Sequence, residues 1–164
     1  MATRNEKLHT TANDLPADVR TEIIPILQAS LADALDLHTQ LKQAHWNIKG
    51  PNFIAPHQLF DEIAGSATVW VDDLAERLVA LGGQAKGTVR ASAAESRLPD
   101  YPLDITDERE HLQAVVKSLS SFGAPVRGAI DTCQEKGDQD TSDLFIDISR
   151  QVDKYPWFVE AHLR

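Results

Sequence analysis

The chain has 164 residues, of which 42% are hydrophobic, and a formal charge of −9 at pH 7. This length and composition suit one globular domain and exclude a disordered chain or a disulfide-stapled miniprotein. The 25 acidic against 16 basic residues argue against attraction to nucleic acid or to an anionic membrane by mean charge, and favour cations. The single cysteine, Cys133, excludes an intrachain disulfide and a thiolate zinc cage and is typical of a reducing compartment. Because no apolar run is long enough for a secretory signal or a membrane span, we expect a soluble, cytoplasmic protein.

Hydrophobic periodicity predicts two helices in the first half of the chain. Residues 1–17 are polar and aperiodic, and we expect them to form a flexible tail before a single domain over 18–164. Apolar residues then recur every three or four positions, which predicts a first helix over 18–47. The Gly50-Pro51 break follows it, and a second helix is predicted over 56–81.

A long connection and a third helix follow. Residues 82–105 show no sustained period and have room for a short helical turn near 92–96. A third helix is predicted to begin near Thr106, after which Gly123 and Pro125 predict a kink.

The fourth helix completes the expected bundle. It is predicted to begin at a cap formed by Asp140 or Thr141 and to bend at Pro156. Short connections make helices one and two, and helices three and four, antiparallel neighbours, whereas the long connection crosses the length of the bundle. We therefore predict an all-α fold, a ferritin-like four-helix bundle with one long crossover between helices two and three.

Four potential metal ligands lie on the second predicted helix: His57, Asp61, Asp72 and Glu76. At about 100° per residue they occupy roughly one quarter of the helix circumference. Apolar residues border this quarter, so the carboxylates are expected to face something other than open water. Carboxylates brought together away from water repel one another, which favours a bound cation. The alternative is that each pair belongs to an ordinary solvated helix face.

The two pairs cannot share one metal ion within a single chain. The midpoints of His57/Asp61 and Asp72/Glu76 are about 22 Å apart along the helix axis, whereas a metal centre is only a few ångströms across. They meet if a second copy of the helix packs antiparallel across a two-fold axis, which generates two equivalent sites. We therefore expect a dimer contact on this helix, with metal sites between subunits.

His45 is the candidate fifth ligand, because the Gly50-Pro51 turn brings the end of the first helix beside the start of the second. The alternative is an ordinary core histidine. Two imidazoles with three carboxylates suit ferrous iron or manganese, and zinc less distinctively. An oxygen-rich set that also holds ferric iron favours iron redox chemistry over structural zinc. The remaining histidines are given no role: His9, His38, His111 and His162.

The run LKQAHWNIKGPNFIAPHQLFDEI, followed by VDDLAERLVALGG, resembles the Dps family of mini-ferritins, the DNA-binding proteins from starved cells. The resemblance continues in YPLDI and, near the C-terminus, in DTSDLF and SRQVDKYPWFVEAHL. Its most specific part is the spacing of His45, His57, Asp61, Asp72 and Glu76. The resemblance implies that these five residues are the catalytic iron ligands of a ferroxidase centre at a two-fold interface. One subunit then supplies both histidines and Asp61, and its neighbour supplies the other two.

The resemblance also implies a hollow homododecamer with ferrous iron and hydrogen peroxide as substrates. Such an assembly oxidises the iron, preferentially with peroxide, and stores a ferric mineral, which protects against oxidative damage. Zinc and manganese are possible substitutes for iron at the dinuclear centre. Trp46 matches a family position near this centre, where it either intercepts oxidising equivalents or packs as an ordinary aromatic residue.

The start of the fourth helix matches an acidic three-fold pore of the family. Asp140 and Asp143 are the pore candidates, with Asp138 as a possible further member. The alternative is an ordinary helix cap and a first-turn acid. Arg77 is either a partner that orients Glu76 or an ordinary surface arginine.

The alternative function is DNA binding and nucleoid compaction, with iron oxidation secondary. DNA-binding family members often carry a lysine-rich tail, whereas this tail has Arg4 and Lys7 beside Glu6. Neutralisation of DNA phosphates needs clustered positive charge. We therefore expect weak DNA binding at most, and association with the nucleoid only if that binding occurs.

Overall fold

A computed structural model describes residues 8–164 of the chain. Five helices and no β-strand lie within this range. They are α1 (Ala17–Asn47), α2 (Ile54–Ala80), α3 (Val89–Glu95), α4 (Glu108–Glu135) and α5 (Gln139–Ala161). None of the helices in this part of the chain is long and apolar enough to cross a membrane.

The four long helices form a bundle of two antiparallel hairpins. α1 packs mainly on α2 and α4 mainly on α5, while contacts of α1 with α4 and of α2 with α5 join the hairpins. In the core, the Trp70 ring stacks on Phe122 with 5.7 Å between centroids and lies 6.3 Å from the Tyr155 ring. Burial of each large apolar side chain contributes roughly 1.5–3 kcal/mol, so the apolar stripes drive the assembly of the bundle. The predicted all-α bundle is confirmed, and α3 is the short helix within its crossover.

The cap of α5 differs from the prediction. α5 begins at Gln139 and is capped by Asp138, not by Asp140 or Thr141. The Asp138 carboxylate accepts a hydrogen bond from the Thr141 backbone N–H at 3.0 Å and another from the Thr141 hydroxyl at 2.5 Å. Asp138 takes this place because Arg77 of α2 neutralises it in a position that is only 1% exposed.

Three prolines lie inside long helices without ending them. α1, α4 and α5 are continuous across Pro25, Pro125 and Pro156 respectively, and the bends expected at Pro125 and Pro156 stay predictions. At Gly123 in α4, a Cβ atom would lie 2.9 Å from Val152 of α5. The missing side chain therefore permits the close packing of these two helices.

The described part of the predicted tail is attached to the end of α2. The His9 backbone N–H donates to Gly82 O at 2.7 Å, and the Thr11 hydroxyl donates to Ala80 O at 3.1 Å. These bonds satisfy carbonyl groups that the end of a helix leaves without helical partners. Residues 1–7 lie outside the described residues, so the predicted flexibility of that part stays a prediction.

A buried carboxylate fixes the crossover to α1. Asp33 is fully buried, and it accepts hydrogen bonds from the Arg97 backbone N–H at 2.7 Å, from Nε at 2.9 Å and from Nη2 at 2.6 Å. The hydroxyl of Ser96, the residue before Arg97, donates to the Asp36 carboxylate at 2.6 Å. Because a buried carboxylate is stable only when it is paired, this contact holds the end of the crossover against the bundle.

Candidate metal centre

His45 and His57 face each other across the turn between α1 and α2. His45 lies in the last turn of α1 and His57 in the first turn of α2. The chain reverses between them, and the Phe53 N–H donates to Gly50 O at 3.2 Å. The two imidazole rings are stacked, with 3.7 Å between centroids and an angle of 20° between planes. The turn thus brings two of the predicted ligands into contact.

Each of these histidines is anchored by the backbone of the other. Nδ1 of His45 bonds to His57 O at 2.8 Å, and Nδ1 of His57 bonds to His45 O, also at 2.8 Å. A carbonyl oxygen only accepts, so each Nδ1 carries a proton, and Nε2 is the ring nitrogen left to face a metal ion. Metal-binding histidines are typically oriented in this way, with one ring nitrogen bonded to a carbonyl and the other free for the metal. Both side chains are half-buried, so their Nε2 atoms are not locked in the core.

Asp61 lies one turn after His57 and is held by a lysine. Lys42 Nζ is 2.5 Å from Asp61 Oδ1, and the Asp61 side chain remains 55% exposed. The hydrogen bond from Lys42 lowers the pKa of Asp61 below its usual 3.8, with smaller contributions from the charge of Lys42 and from the two histidines. Asp61 is therefore ionised at neutral pH, and this candidate oxygen ligand has an ammonium group as its partner.

Asp72 and Glu76 lie at the other end of the ligand-bearing face of α2. Both are exposed, and the helix places them about 22 Å from the His57/Asp61 pair. Among residues 8–164, no group of three or more histidine, cysteine, aspartate or glutamate side chains is arranged to hold a metal ion within one subunit. The candidate ligands thus form two separate sets in a single chain, one with imidazoles and one with carboxylates alone.

Comparisons with known proteins identify the family. A model described as the ferritin-like domain matches residues 24–164. The DNA protection during starvation protein of Agrobacterium fabrum is 43% identical over 158 residues, which cover 96% of this chain and 98% of that protein. This chain belongs to the Dps family. Membership confirms the resemblance noted in the sequence and supports an iron-storage role of the mini-ferritin type.

Solved Dps structures share the fold over nearly the whole chain. DpsA14 from Streptomyces coelicolor is 35% identical with a TM-score of 0.89, and the match covers 94% of this chain and 91% of that one. A tetragonal form of Mycobacterium smegmatis Dps is 31% identical with a TM-score of 0.90 and 94% coverage of both chains. The helices that position the five candidate residues therefore follow the Dps architecture.

Arg77 matches neither of the two roles expected from the sequence of this Dps chain, a partner of Glu76 or a surface arginine. Its Nη2 lies 2.6 Å from Asp138 Oδ1 and its Nε donates to Thr141 Oγ1 at 2.8 Å. The Arg77 side chain is only 16% exposed. It is thus not a surface arginine, and its hydrogen bonds go to Asp138 and Thr141 instead of Glu76. It links α2 to the capped start of α5.

The three pore candidates separate into two groups. Asp138 is buried beneath Arg77, which removes it from any acidic ring on the surface. Asp140 and Asp143 are exposed in the first turns of α5, and Asp140 Oδ2 lies 3.9 Å from Arg77 Nη1. Only Asp140 and Asp143 remain available to line a pore in a Dps assembly.

Trp46 lies next to His45 but points away from the core. Its side chain is 67% exposed, and Lys42 Nζ lies 5.8 Å from its ring centroid. Packing in the interior of this subunit is therefore excluded as its role. Lys42, which contacts both Asp61 and Trp46, was missed in the sequence, although its position three residues before His45 places it on the same face of α1.

Proposed function

We propose that this protein binds ferrous iron at sites between two subunits, oxidises it with hydrogen peroxide as the preferred oxidant, and stores the ferric product in a hollow homododecamer. Each site takes His45, His57 and Asp61 from one subunit and Asp72 and Glu76 from its neighbour. The protein is on this proposal a cytoplasmic ferroxidase. It removes two sources of oxidative damage together, free ferrous iron and peroxide.

The observation that carries the proposal is the reciprocal bonding of His45 and His57. Two core histidines would be expected to use both ring nitrogens inside the bundle or to pack as neutral aromatics. Here both Nδ1 atoms are used for orientation at 2.8 Å, which leaves Nε2 of two nearly parallel imidazoles as the nitrogens that can face a metal ion. With Asp61 on the following helical turn, this is half of an N/O ligand set suited to ferrous iron, with manganese and zinc as substitutes.

The positions on α2 support a two-fold arrangement of the remaining ligands. The pair His57 and Glu76, and the pair Asp61 and Asp72, are both centred between residues 66 and 67. An antiparallel copy of α2 that crosses at this point therefore brings each member of a pair opposite the other. The same symmetry produces two equivalent sites per dimer.

Gly65 lies beside this centre and on the same face as the ligands. A Cβ added to Gly65 would meet no atom within 4 Å, and the residue is exposed. Glycine inside a helix costs about 1 kcal/mol relative to alanine, and nothing within the subunit requires it. Close approach of a second helix gives a reason for it. The exposed apolar side chains of Ile54, Val69 and Val79 also leave α2 with apolar surface for a partner.

The residues act by positioning two ferrous ions and leaving room for the oxidant. Three carboxylates per site offset the charge of the cations and stabilise the ferric state more than the ferrous state, because attraction grows with the charge of the ion. Two ferrous ions supply the two electrons that reduce one peroxide to two waters, with two protons consumed. A paired site therefore avoids the one-electron step that releases hydroxyl radical.

Asp140 and Asp143 are proposed to attract ferrous iron to the interior. They are exposed at the positive end of α5, and three copies around an axis would form a ring of six carboxylates. Such a ring raises the local concentration of cations and their rate of entry. Arg77 reduces this field at Asp140, which makes Asp143 the stronger contributor.

DNA protection is the alternative function, because the relative from Agrobacterium fabrum carries that activity in its name. The charge of −9 opposes it, since binding to phosphates depends on released counterions and on clustered cations. A gel-shift series from low to physiological salt decides the matter. No retardation at the lowest salt removes the DNA-binding function, and a salt-sensitive shift supports it.

Mixing two inactive variants tests the inter-subunit site. His57→Ala and Asp72→Ala should each abolish rapid iron oxidation when assembled alone. If the two variants are unfolded together and reassembled, half of the dimers are mixed, and each mixed dimer has one complete site. About a quarter of the wild-type activity should return. The matched control is a mixture of His57→Ala with Asp61→Ala, which should recover nothing because both changes affect the same half-site.

An anaerobic ferrous titration followed by peroxide tests the chemistry itself. We expect two ferrous ions per site and one peroxide consumed per two irons, in a fraction of dodecameric size. A monomer that does not bind iron would overturn the proposed function. Recovery of activity in the control mixture would overturn the assignment of ligands between subunits.

A further inference from the structure

Tyr101 and His111 form a buried hydrogen-bonded pair that the iron site does not use. Tyr101 lies in the crossover and His111 in the first turn of α4. The Tyr101 hydroxyl is 2.7 Å from His111 Nδ1, and the rings are roughly parallel at 22° with 6.0 Å between centroids. Tyr101 is 9% exposed and His111 1%. This phenol is therefore shielded from solvent but in direct contact with a base.

We propose that Tyr101 and His111 are a redox-active pair, in which the phenol gives an electron to a one-electron oxidant while its proton moves to Nδ1 of His111. An electron can cross a packed protein interior, whereas a proton moves only along a hydrogen bond. A buried tyrosine is therefore readily oxidised only if a proton acceptor contacts its hydroxyl. His111 supplies that acceptor in the tautomer whose proton is on Nε2, because Nδ1 then keeps the lone pair that faces the Tyr101 hydroxyl.

The charge state of His111 is consistent with this role. Burial lowers the pKa of His111, and this effect outweighs the opposing influences of the Ile105 backbone, Glu110 and Asp107. Burial also raises the pKa of Tyr101. At neutral pH the pair thus consists of a protonated phenol and a neutral imidazole, which is the state from which proton transfer can occur.

The pair lies at the end of the bundle that carries His45 and His57. The Lys49 N–H, just after α1, donates to Thr106 O at 3.2 Å, and the Asn52 N–H donates to Glu108 at 3.2 Å. The α1–α2 turn and the start of α4 are thus in contact. The pair and the two histidines therefore lie at the same end of the subunit, on segments that are hydrogen-bonded to each other.

The complete reaction has defined donors and acceptors. Tyr101 loses one electron to the one-electron oxidant that forms when a single ferrous ion, outside a paired site, reduces peroxide, and its proton passes to His111. The products are a neutral phenoxyl radical, an imidazolium ion and the reduced oxidant. One further ferrous ion returns the electron and becomes ferric, and the proton moves back to the phenol. The source of the oxidant rests on the proposed function, whereas the redox activity of the pair does not.

Tyr155 provides a matched control, because the chain contains only two tyrosines. Its hydroxyl lies 2.7 Å from Ser66 Oγ, and it is 5% exposed. A serine hydroxyl is a very poor base at neutral pH compared with imidazole. Tyr155 is thus equally buried and hydrogen-bonded, but it lacks an acceptor that can hold its proton.

Photochemical oxidation without iron tests the pair directly. The assembled protein, labelled with ring-deuterated tyrosine, is oxidised by a flash-generated ruthenium(III) tris-bipyridine and frozen for electron paramagnetic resonance. We expect a tyrosyl radical in the wild type and in Tyr155→Phe, and its loss in Tyr101→Phe. His111→Gln should reduce its yield at least fivefold, and thermal melting should verify that each variant is folded. An unchanged tyrosyl signal in Tyr101→Phe, or its loss in Tyr155→Phe, would overturn the proposal.

The same variants treated with ferrous iron and peroxide test the link to iron chemistry. We expect the Tyr101 radical during turnover and more oxidative damage to Trp46 in Tyr101→Phe, with the rate of iron oxidation unchanged. A radical formed by light but absent during active iron oxidation would overturn the protective role. If the protein does not oxidise iron at all, the proposed function fails while the photochemical result still decides whether the pair is redox-active.

Discussion

Lys42 Nζ lies 2.5 Å from Asp61 Oδ1, so an ammonium group already neutralises one oxygen of this candidate ligand. Both side chains lie near the surface, Lys42 on α1 and Asp61 on α2. The contact keeps Asp61 ionised and oriented while the subunit lacks a cation. It also means that a cation must compete with Lys42 for this ligand.

Replacement of Lys42 is therefore expected to strengthen metal binding. Lys42→Met should tighten ferrous binding by roughly two- to fivefold, since an exposed ion pair contributes up to about 1 kcal/mol. Isothermal titration with ferrous iron under anaerobic conditions measures the change. Lys117→Met, which replaces an exposed lysine of α4, is the control. Weaker binding in Lys42→Met would show that the lysine assists the site instead of competing with the metal.

The pH dependence of the Lys42–Asp61 contact follows from the lowered pKa of Asp61. Because the pKa of Asp61 is lowered in the folded chain, the contact stabilises the fold at pH values above the ordinary pKa of 3.8. This stabilisation is lost as the pH falls through the lowered pKa. The Asp61 carboxyl carbon should titrate below 3.8 in a nuclear magnetic resonance experiment. In Lys42→Met its midpoint should move upward. An unchanged midpoint would mean that Lys42 does not contact Asp61 in solution.

Gly65 is expected to control assembly. Gly65→Leu fits within the subunit, because nothing lies near its Cβ position, but it obstructs a helix that crosses α2 between residues 66 and 67. Light scattering should show smaller species, and iron oxidation should fall at least tenfold. Gly128→Leu is the matched control, since Gly128 is also an exposed glycine inside a helix with an empty Cβ position. A Gly65→Leu variant that assembles and oxidises iron normally would exclude the proposed two-fold contact.

Arg77 is expected to be important for stability. Arg77→Met leaves the buried Asp138 carboxylate without its cation, which typically costs about 3–5 kcal/mol. Urea unfolding at one fixed protein concentration measures the loss. Arg127→Met breaks an ion pair with Asp153 in which both side chains are more than half exposed, and it should cost less than about 1 kcal/mol. Equal losses in the two variants would contradict the structural role of Arg77.

Asp140 and Asp143 are expected to affect the rate of iron entry. The double variant Asp140→Asn and Asp143→Asn should slow mineral formation about tenfold by weakening the local field. Anaerobic binding at the oxidation site should reach the same stoichiometry as in the wild type. Glu160→Gln, which removes one exposed carboxylate at the other end of α5, is the control for a loss of charge away from the pore candidates. A mineralisation rate unchanged in the double variant would discard the pore role.

The helices could be predicted from the sequence because their signals are local. The apolar steps of α1 and α2 and the Gly50-Pro51 break lie within a few turns of the features that they determine. The fold class followed from the lengths of the connections. The spacing of the ligand pairs on α2 was also local information, since it needs only the rise of a helix.

The contacts that could not be predicted are those between distant segments. The sequence predicted Asp140 or Thr141 as the cap of the last helix, and the choice of Asp138 depends on Arg77, which is 61 residues away. The attachment of His9 to Gly82 and the pairing of Lys42 with Asp61 depend in the same way on how the helices pack. Such contacts are decided by tertiary structure and leave no periodic signal in the chain.

The mutual anchoring of His45 and His57 has a consequence for the speed of iron capture. Each ring is held by the backbone that carries the other, so neither imidazole needs to search through its rotamers before it accepts a metal ion. The entropy that a flexible ligand would lose on binding, about 0.5–1.5 kcal/mol for each side chain, has already been lost during folding. On the proposed function, the two imidazoles therefore take up iron without a change of rotamer, and the Lys42–Asp61 contact is the part of this half-site that has to open.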